Sequence, residues 1–351
     1  MKKNWKKLAA LCLSAVLLAG CTPKTPETTP TPEPTPTPTA EPTPTPSLAE
    51  DEKVRVAVLK GTTGLGAAKL MDEQADSSTM EFVVLAEPTE AVAALTKGEA
   101  DIAALPTNLA STLYHKLDGG IQVLALNTLG VLYILENGDS VKTMADLRGK
   151  TIHAFGQGAN PEFVLNYLLE KNGLKPGEDV TVQWYSSSDE VSTLVASGDV
   201  ELAMLPVPAA TAAQIQSKGA VRFALDLTKE WENAGADGVL TMGCVVARSE
   251  FVSQQPEAVN AFLEGYGASI EFMSDPDNLA EAAQLAETYG IIPKAAIAQK
   301  ALPDANLCFI TGDDMMAGLQ GYYQVLYAAD PASIGGSIPD SAFFYRDWDA
   351  D

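Results

Sequence analysis

Residues 90–106 read EAVAALTKGEADIAALP, and residues 190–206 read EVSTLVASGDVELAMLP. The two stretches lie one hundred residues apart and align without a gap. Glu90/Glu190, Gly98/Gly198, Ala103/Ala203, Leu105/Leu205 and Pro106/Pro206 are identical pairs. Each copy is a helical pattern stopped by Gly, followed by a short apolar strand that ends in Leu-Pro. Two copies of one unit predict two similar lobes, with a cleft between them as the place for a ligand.

Working outward, each half opens alike. The β-rich run at 54–59 turns at 60–64 into a helical pattern. In the second half the strand at 151–155 turns at 156–160, and Pro161 after Asn160 is a helix-start signal. Further strands are expected at 81–85, 102–105 and 121–126, and at 180–185, 202–205 and 221–225. Alternating strands and helices predict an α/β fold with two parallel-type sheets flanked by helices. The apolar, β-branched segments 130–136 and 239–247 border the second unit and are expected to be the two crossover hinge segments. The expected division is lobe I at residues 51–136 plus 240–351, and lobe II at 140–237. The C-terminal part is mostly helical, at 256–273, 278–289, 293–301 and 313–328.

The N-terminal end has a different character. Lys2, Lys3, Lys6 and Lys7 precede a short apolar run at 8–18, the layout of a secretory signal and too short to span a bilayer. The run ends in Leu-Ala-Gly-Cys, which resembles a bacterial lipobox. Residues 1–20 are therefore expected to be a lipoprotein signal peptide, with Cys21 lipidated. Residues 21–50 are expected to be a disordered Thr/Pro/Glu tether, about 80 Å long at ~3.1 Å per residue.

The net charge is −23, and loss of the four signal lysines takes it to −27. That disfavours nucleic acid, whose phosphates require basic stripes. Cys244 and Cys308 remain after Cys12 is removed and Cys21 modified; either a disulfide or two buried thiols is compatible with an extracytoplasmic setting. No Cys/His cluster has metal spacing. His153 sits in an apolar strand pattern, and His115 follows a helix, so no Ser-His-Asp or Cys-His arrangement can be drawn. No catalytic residue, metal or cofactor is expected.

Ligands of open α/β sheets bind beyond the carboxyl ends of the strands. Those positions hold the candidate ligand-binding residues: Lys60, Thr62, Thr63, Gly64, Glu87, Pro106, Thr107, Asn108, Gln157, Gly158, Asn160, Ser187, Pro206 and Val207. Thr62, Thr63 and Gly64 offer hydroxyls and backbone N–H groups ahead of a helix, as do Gln157 and Gly158, although the glycines also serve tight turns. Ser187 can alternatively cap the following helix. Lys60 facing the cleft favours an anion, Glu87 a cation; the absence of Arg from these loops disfavours bidentate capture of a strong anion. Thr107-Asn108 leaves one repeat polar and Val207-Pro208 leaves the other apolar, suggesting a ligand with one polar and one apolar end.

Several motifs coincide. The segment 146–152, DLRGKTI, is similar to the opening of the second lobe of many solute-binding proteins. The repeat ends GEADIAALP and GDVELAMLP, the Cys21 anchor, and the segments 302–306 and 337–340 match the same group. Together they resemble the substrate-binding lipoproteins of ABC importers, in the nitrate, sulfonate and thiamine-precursor (NMT1/THI5-like) branch, over residues 54–345. The resemblance implies a type II periplasmic-binding-protein fold. It also implies a monomer held by its lipid on the outer face of the plasma membrane, with permease and ATPase subunits as partners. A surface sensor presenting its closed form to a receptor is the alternative. One family type is a pyrimidine-forming enzyme with a CCCFC-like motif; only isolated cysteines occur here, so the resemblance implies binding rather than catalysis.

Overall fold

The computed structural model describes residues 53–77, 79–236 and 238–346. The expected signal peptide, Cys21 and the tether lie outside the described residues. Among those described, no helix is long and apolar enough to cross a membrane.

The chain runs from strand β1 (Val54–Leu59) through α1 (Thr62–Leu65), α2 (Ala68–Glu73), β2 (Met80–Leu85) and α3 (Pro88–Lys97) to β3 (Ile102–Pro106). There follow α4 (Thr107–Lys116), β4 (Ile121–Leu129), β5 (Leu132–Glu136), β6 (Thr151–Phe155), α5 (Asn160–Lys171), β7 (Thr181–Tyr185), α6 (Ser188–Ser197) and β8 (Leu202–Pro206). Helix α7 (Ala209–Gln216), β9 (Arg222–Asp226), α8 (Leu227–Asn233) and β10 (Thr241–Arg248) lead to the C-terminal part. That part holds α9 (Ser249–Gln254), α10 (Pro256–Ser274), α11 (Leu279–Thr288), α12 (Ala295–Ala301), β11 (Leu307–Ile310) and α13 (Gly312–Ala329).

The strands form two sheets, ordered β11-β4-β10-β3-β1-β2 and β7-β6-β8-β5-β9. Within each, β1/β2, β1/β3, β6/β7 and β6/β8 are parallel. The sheets are mixed rather than of purely parallel type, because β10 runs antiparallel between β3 and β4, and β5 runs antiparallel between β8 and β9. A strand that enters a lobe from its neighbour arrives at the cleft end, opposite to the strands built from the lobe's own βαβ units, so it must pair antiparallel. Residues 132–136 therefore belong to the second sheet, not to lobe I as expected from the sequence. The first crossover is confined to residues 130–131.

The repeat is structural in both lobes. Gly98 and Gly198 close α3 and α6 in the left-handed conformation, at φ 70° and 83°. Each following strand is buried until its terminal Pro. Pro106 sits opposite Gly243 and Pro206 opposite Leu132, so each repeat ends where a crossover strand docks.

One apolar cluster runs through both lobes, from Ala57 and Leu105 in the first to Ile152, Leu168 and Met204 in the second. Helix α13 joins them. Its Met315, Leu319, Tyr322, Tyr323 and Leu326 are buried at helical spacing. The rings of Tyr167, Trp231, Tyr322, Tyr323 and Phe343 follow one another at 4.9 to 6.3 Å, a continuous aromatic path from α5 to the C-terminal segment. On the far side of the cleft the lobes also meet: Ala301 at the end of α12 is fully buried in the second lobe's cluster with Tyr133, Val207 and Ala210.

Candidate ligand-binding site

The crossovers fix the base of the cleft. A Cβ on Gly130 would lie 2.2 Å from Thr228 Oγ1 and 2.9 Å from Leu240 Cδ2, so only glycine lets the first connection pass against the second. Beside them lies a buried polar seam. Asn160, at the start of α5, donates from Nδ2 to Thr107 Oγ1 (3.1 Å) and to the Met242 carbonyl (3.2 Å). Its Oδ1 accepts from the Tyr322 hydroxyl at 2.9 Å. Thr107 Oγ1 donates to the Thr241 carbonyl at 2.9 Å, and its own carbonyl accepts from the Tyr323 hydroxyl at 2.8 Å. Burial drives the Tyr322 and Tyr323 hydroxyls far above their ordinary pKa, so both stay protonated donors. Asn160 and Thr107 therefore join lobe to lobe rather than facing open space.

The other predicted residues divide into three groups. Lys60, Glu87, Gln157, Gly158 and Ser187 are exposed at the strand ends. Three of them, Glu87 included, have local duties: Ser187 Oγ accepts from the Glu190 N–H at 3.3 Å and caps α6, and the Gly158 N–H donates to Glu162 Oε2 at 2.6 Å. The backbone donor expected to be free at Gly158 is thus occupied. Glu87 occupies the N-cap of α3, where Glu90 Oε2 accepts from its N–H and that of Ala86, both at 3.0 Å.

A second group is buried in scaffold. Gly64 has no room for a side chain, because a Cβ would meet the Leu59 carbonyl at 1.9 Å. Thr62 is buried, and Thr63 is half-buried, its carbonyl accepting from Asn127 Nδ2 at 3.0 Å. Val207 is fully buried in the second lobe. Asn108 donates weakly to the Ser333 carbonyl at 3.4 Å, and its Oδ1 is buried with no partner among the described residues. Pro106 and Pro206, half-buried at the strand ends, form the third group.

Two open hollows border the seam between lobes, and none of the predicted positions lines either. The first, about 430 Å³, is lined by Tyr133, Phe223, Asp226 and Glu230 with Lys142 and Lys229 from the second lobe, and by Asp304 from the first. The second, about 730 Å³, shares Asp304 and is lined by Thr211, Lys218, Arg222 and Lys300 among others. Tyr133 lies over Phe223 with ring centroids 4.6 Å apart. Burial, then the charges of Asp226 and Asp304, push the Tyr133 hydroxyl up to about 12. Burial, then Asp226, also raises Glu230. The sequence reading missed these residues. The one signal for them is the 302–306 segment, which carries Asp304.

The histidines carry no such arrangement. His153 Nδ1 lies 2.8 Å from the Tyr185 hydroxyl and burial lowers its pKa, while His115 Nε2 lies 2.7 Å from the Ser337 carbonyl. Cys244 and Cys308 are free thiols. Among the described residues no three His, Cys, Asp or Glu side chains converge as a metal site would require.

The family model described as NMT1/THI5 like matches residues 79–279. The chain belongs to this family. No curated protein matches it. Among solved structures, an ABC transporter protein from Parabacteroides distasonis is 21% identical, with TM-score 0.70 over 84% of this chain and 99% of that one. The periplasmic aliphatic sulphonate-binding protein SsuA from Escherichia coli is 16% identical, with TM-score 0.67 over 86% and 94%. The alkanesulfonate-binding protein SsuA from Xanthomonas axonopodis pv. citri, bound to MOPS, is 18% identical, with TM-score 0.62 over 80% and 94%. These likenesses establish the expected fold, the two-lobed type II periplasmic-binding-protein architecture. Within this NMT1/THI5-like chain the two sheets, two crossovers and intervening seam are the parts that could hold a ligand.

Proposed function

We propose that this NMT1/THI5-like protein is the extracytoplasmic solute-binding component of an ABC importer. It captures a small organic molecule or anion between its lobes by hinge closure and delivers it to a permease driven by an ATPase. The observation that carries this reading is the junction itself. Two lobes meet through crossovers only a few residues long, and strand-end loops from both lobes border one seam, the geometry a hinge-closing binder requires. The solved neighbours support it, since two are by description sulfonate-binding proteins.

The exposed strand-end residues Lys60, Glu87, Gln157 and Ser187 form the walls that a ligand would meet first. Thr62, Thr63, Gly64, Pro106 and Val207 shape the loops beneath, and Thr107 and Asn160 join them across the seam. The protein acts as a monomer without catalysis, tethered to the outer face of the plasma membrane by a lipid on Cys21.

The experiment is a thermal-shift screen of the full-length protein against sulfonates, nitrate, pyrimidines and amines. A ligand that binds only the folded form raises the melting temperature with concentration, and small-angle scattering should then show compaction. A well-folded protein that responds to nothing in such a library would sink the reading. Cys21→Ser should release the protein from membranes; retained membrane association would reject the anchor.

A further inference from the structure

The lobes meet on two sides, and the two contacts differ in strength. On the crossover side the rings of Tyr167 and Trp231 from the second lobe pack in series with Tyr322 from the first, their centroids 4.9 and 5.7 Å apart. All three side chains are more than nine-tenths buried. Asn160 adds three hydrogen bonds to the first lobe at 2.9 to 3.2 Å. The opposite side is held by α7 of the second lobe and α12 of the first, which pack on one another. Helix α12 faces both ways. Ala298 is buried in the first lobe's cluster with Ile291 and Ile292. Ala301, one turn on, is buried in the second lobe's cluster with Ala209, Ala210 and Ala213.

Burial stabilises in proportion to apolar area, and aromatic rings bury far more of it than methyl groups do. The α7–α12 contact is made of methyls, and among the described residues no hydrogen bond or ion pair joins the two helices. It also carries a penalty. Thr211, beside Ala210 on α7, is 4% exposed, and its Oγ1 is buried with no partner among the described residues. A buried hydroxyl left unpaired opposes the burial around it. Thr211 lines the larger hollow together with Lys300 of α12, which places it at this contact. Both hollows reach Asp304, three residues past Ala301, so open space flanks the contact on two sides. Helix α7 follows directly on Val207-Pro208, the exit of the second repeat, so the contact adjoins the cleft wall.

We propose that the α7–α12 contact is a latch across the mouth of the cleft. The lobes part there and stay packed at the crossovers. The Thr211 hydroxyl meets water when the two helices separate, and so biases the ligand-free protein toward opening. The inference rests on the solute-binding reading, since a binder must open to admit its ligand, and it names where the opening occurs. The latch is weak by composition, and a ligand that bridges the lobes shifts the population toward the closed state by its preference for it.

The test uses the full-length protein with Cys12→Ser and Cys21→Ser, spin-labelled at thiols introduced in exposed positions. Gln216→Cys with Gln299→Cys spans α7 and α12, and Glu170→Cys with Gln324→Cys spans α5 and α13 on the crossover side. Pulsed electron resonance without ligand should give two distances across α7–α12 and one across α5–α13. Thr211→Val keeps the shape and removes the hydroxyl, so it should shift the α7–α12 populations about tenfold toward the short distance. Ala301→Trp is too large for its site and should shift them toward the long one, with α5–α13 unchanged in both variants. A Thr211→Val protein whose melting temperature changes while its α7–α12 distances do not would leave the hydroxyl a structural role and overturn its part in the latch. A single α7–α12 distance in the wild type and both variants, or a change confined to the α5–α13 pair, would overturn the latch itself. No ligand enters these measurements, so the latch can fall while the solute-binding reading stands or falls on its own ligand screen.

Discussion

Asn160→Ala removes a side chain that ties α5 of the second lobe to three groups of the first: Thr107, Met242 and Tyr322. Each is a neutral hydrogen bond of near-ideal length, with a net value of about 1 kcal/mol. Thr107 Oγ1 keeps its own donation to Thr241, so the stranded groups are the Met242 carbonyl and the Tyr322 hydroxyl. The expected loss is about 3 kcal/mol. At roughly 2 °C per kcal/mol for a domain this large, the melting temperature should fall about 6 °C. A double-mutant cycle with Tyr322→Phe should show a coupling of about 1 kcal/mol, whereas Asn160→Ala and the distant Tyr114→Phe should add. Asn160→Asp is the sharper probe, because it sets a carboxylate oxygen where an amide now donates to the Met242 carbonyl at 3.2 Å. It should destabilise more than Ala, with the deficit growing as pH rises through the carboxylate range. An Asn160→Ala protein within about 0.5 kcal/mol of wild type, or strict additivity with Tyr322→Phe, would refute the seam as an interlobe tie.

Gly130→Ala puts a methyl into the van der Waals space of Thr228 and Leu240 and should cost about 1–3 kcal/mol in thermal unfolding; an unchanged melting temperature would mean the crossovers do not pack as described. Burial pushes the Asp101 carboxyl up, but hydrogen bonds from Arg55 and Arg248 outweigh it and hold the pKa below the usual value. Its stabilising contribution is therefore present above the unfolded carboxylate pKa of about 3.9 and is lost as pH falls through the lower folded value. Asp101→Asn should lower the melting temperature at neutral pH and flatten its decline below about pH 4, as followed by circular dichroism across pH. Burial raises the thiols of Cys244 and Cys308, the latter to about 12, so iodoacetamide should label neither in the native protein and both after denaturation; rapid native labelling of Cys244 would contradict its complete burial.

The architecture was legible because it repeats. The glycines that stop α3 and α6, the Leu-Pro strand ends and the helix start at Asn160-Pro161 are local signals, and each does in space what its chemistry predicts. The direction of the crossover strands was not legible. Strands β5 and β10 are buried on both faces, like the parallel strands beside them, so their sequences read the same whichever way they run. Their connections alone set the direction: each arrives from the other lobe. That is also why residues 132–136, expected to be part of a crossover segment, contribute a full strand to the second sheet.

The site was less legible than the fold for a related reason. Thr107 and Asn160 sit at strand ends, where a ligand is expected, and both carry polar groups that could serve one. Whether such a group faces a ligand or the opposite lobe depends on partners 53, 82 and 162 residues away from Asn160, and no local pattern encodes those. The same distance effect hid the hollow beside Tyr133, which assembles Tyr133, Lys142, Asp226 and Asp304 from well-separated parts of the chain. In a two-lobed fold the strand-end rule finds the seam, but each polar group at the seam must serve the lobes or the ligand. Asn160, with all three of its hydrogen bonds spent on the other lobe, is committed to the first task.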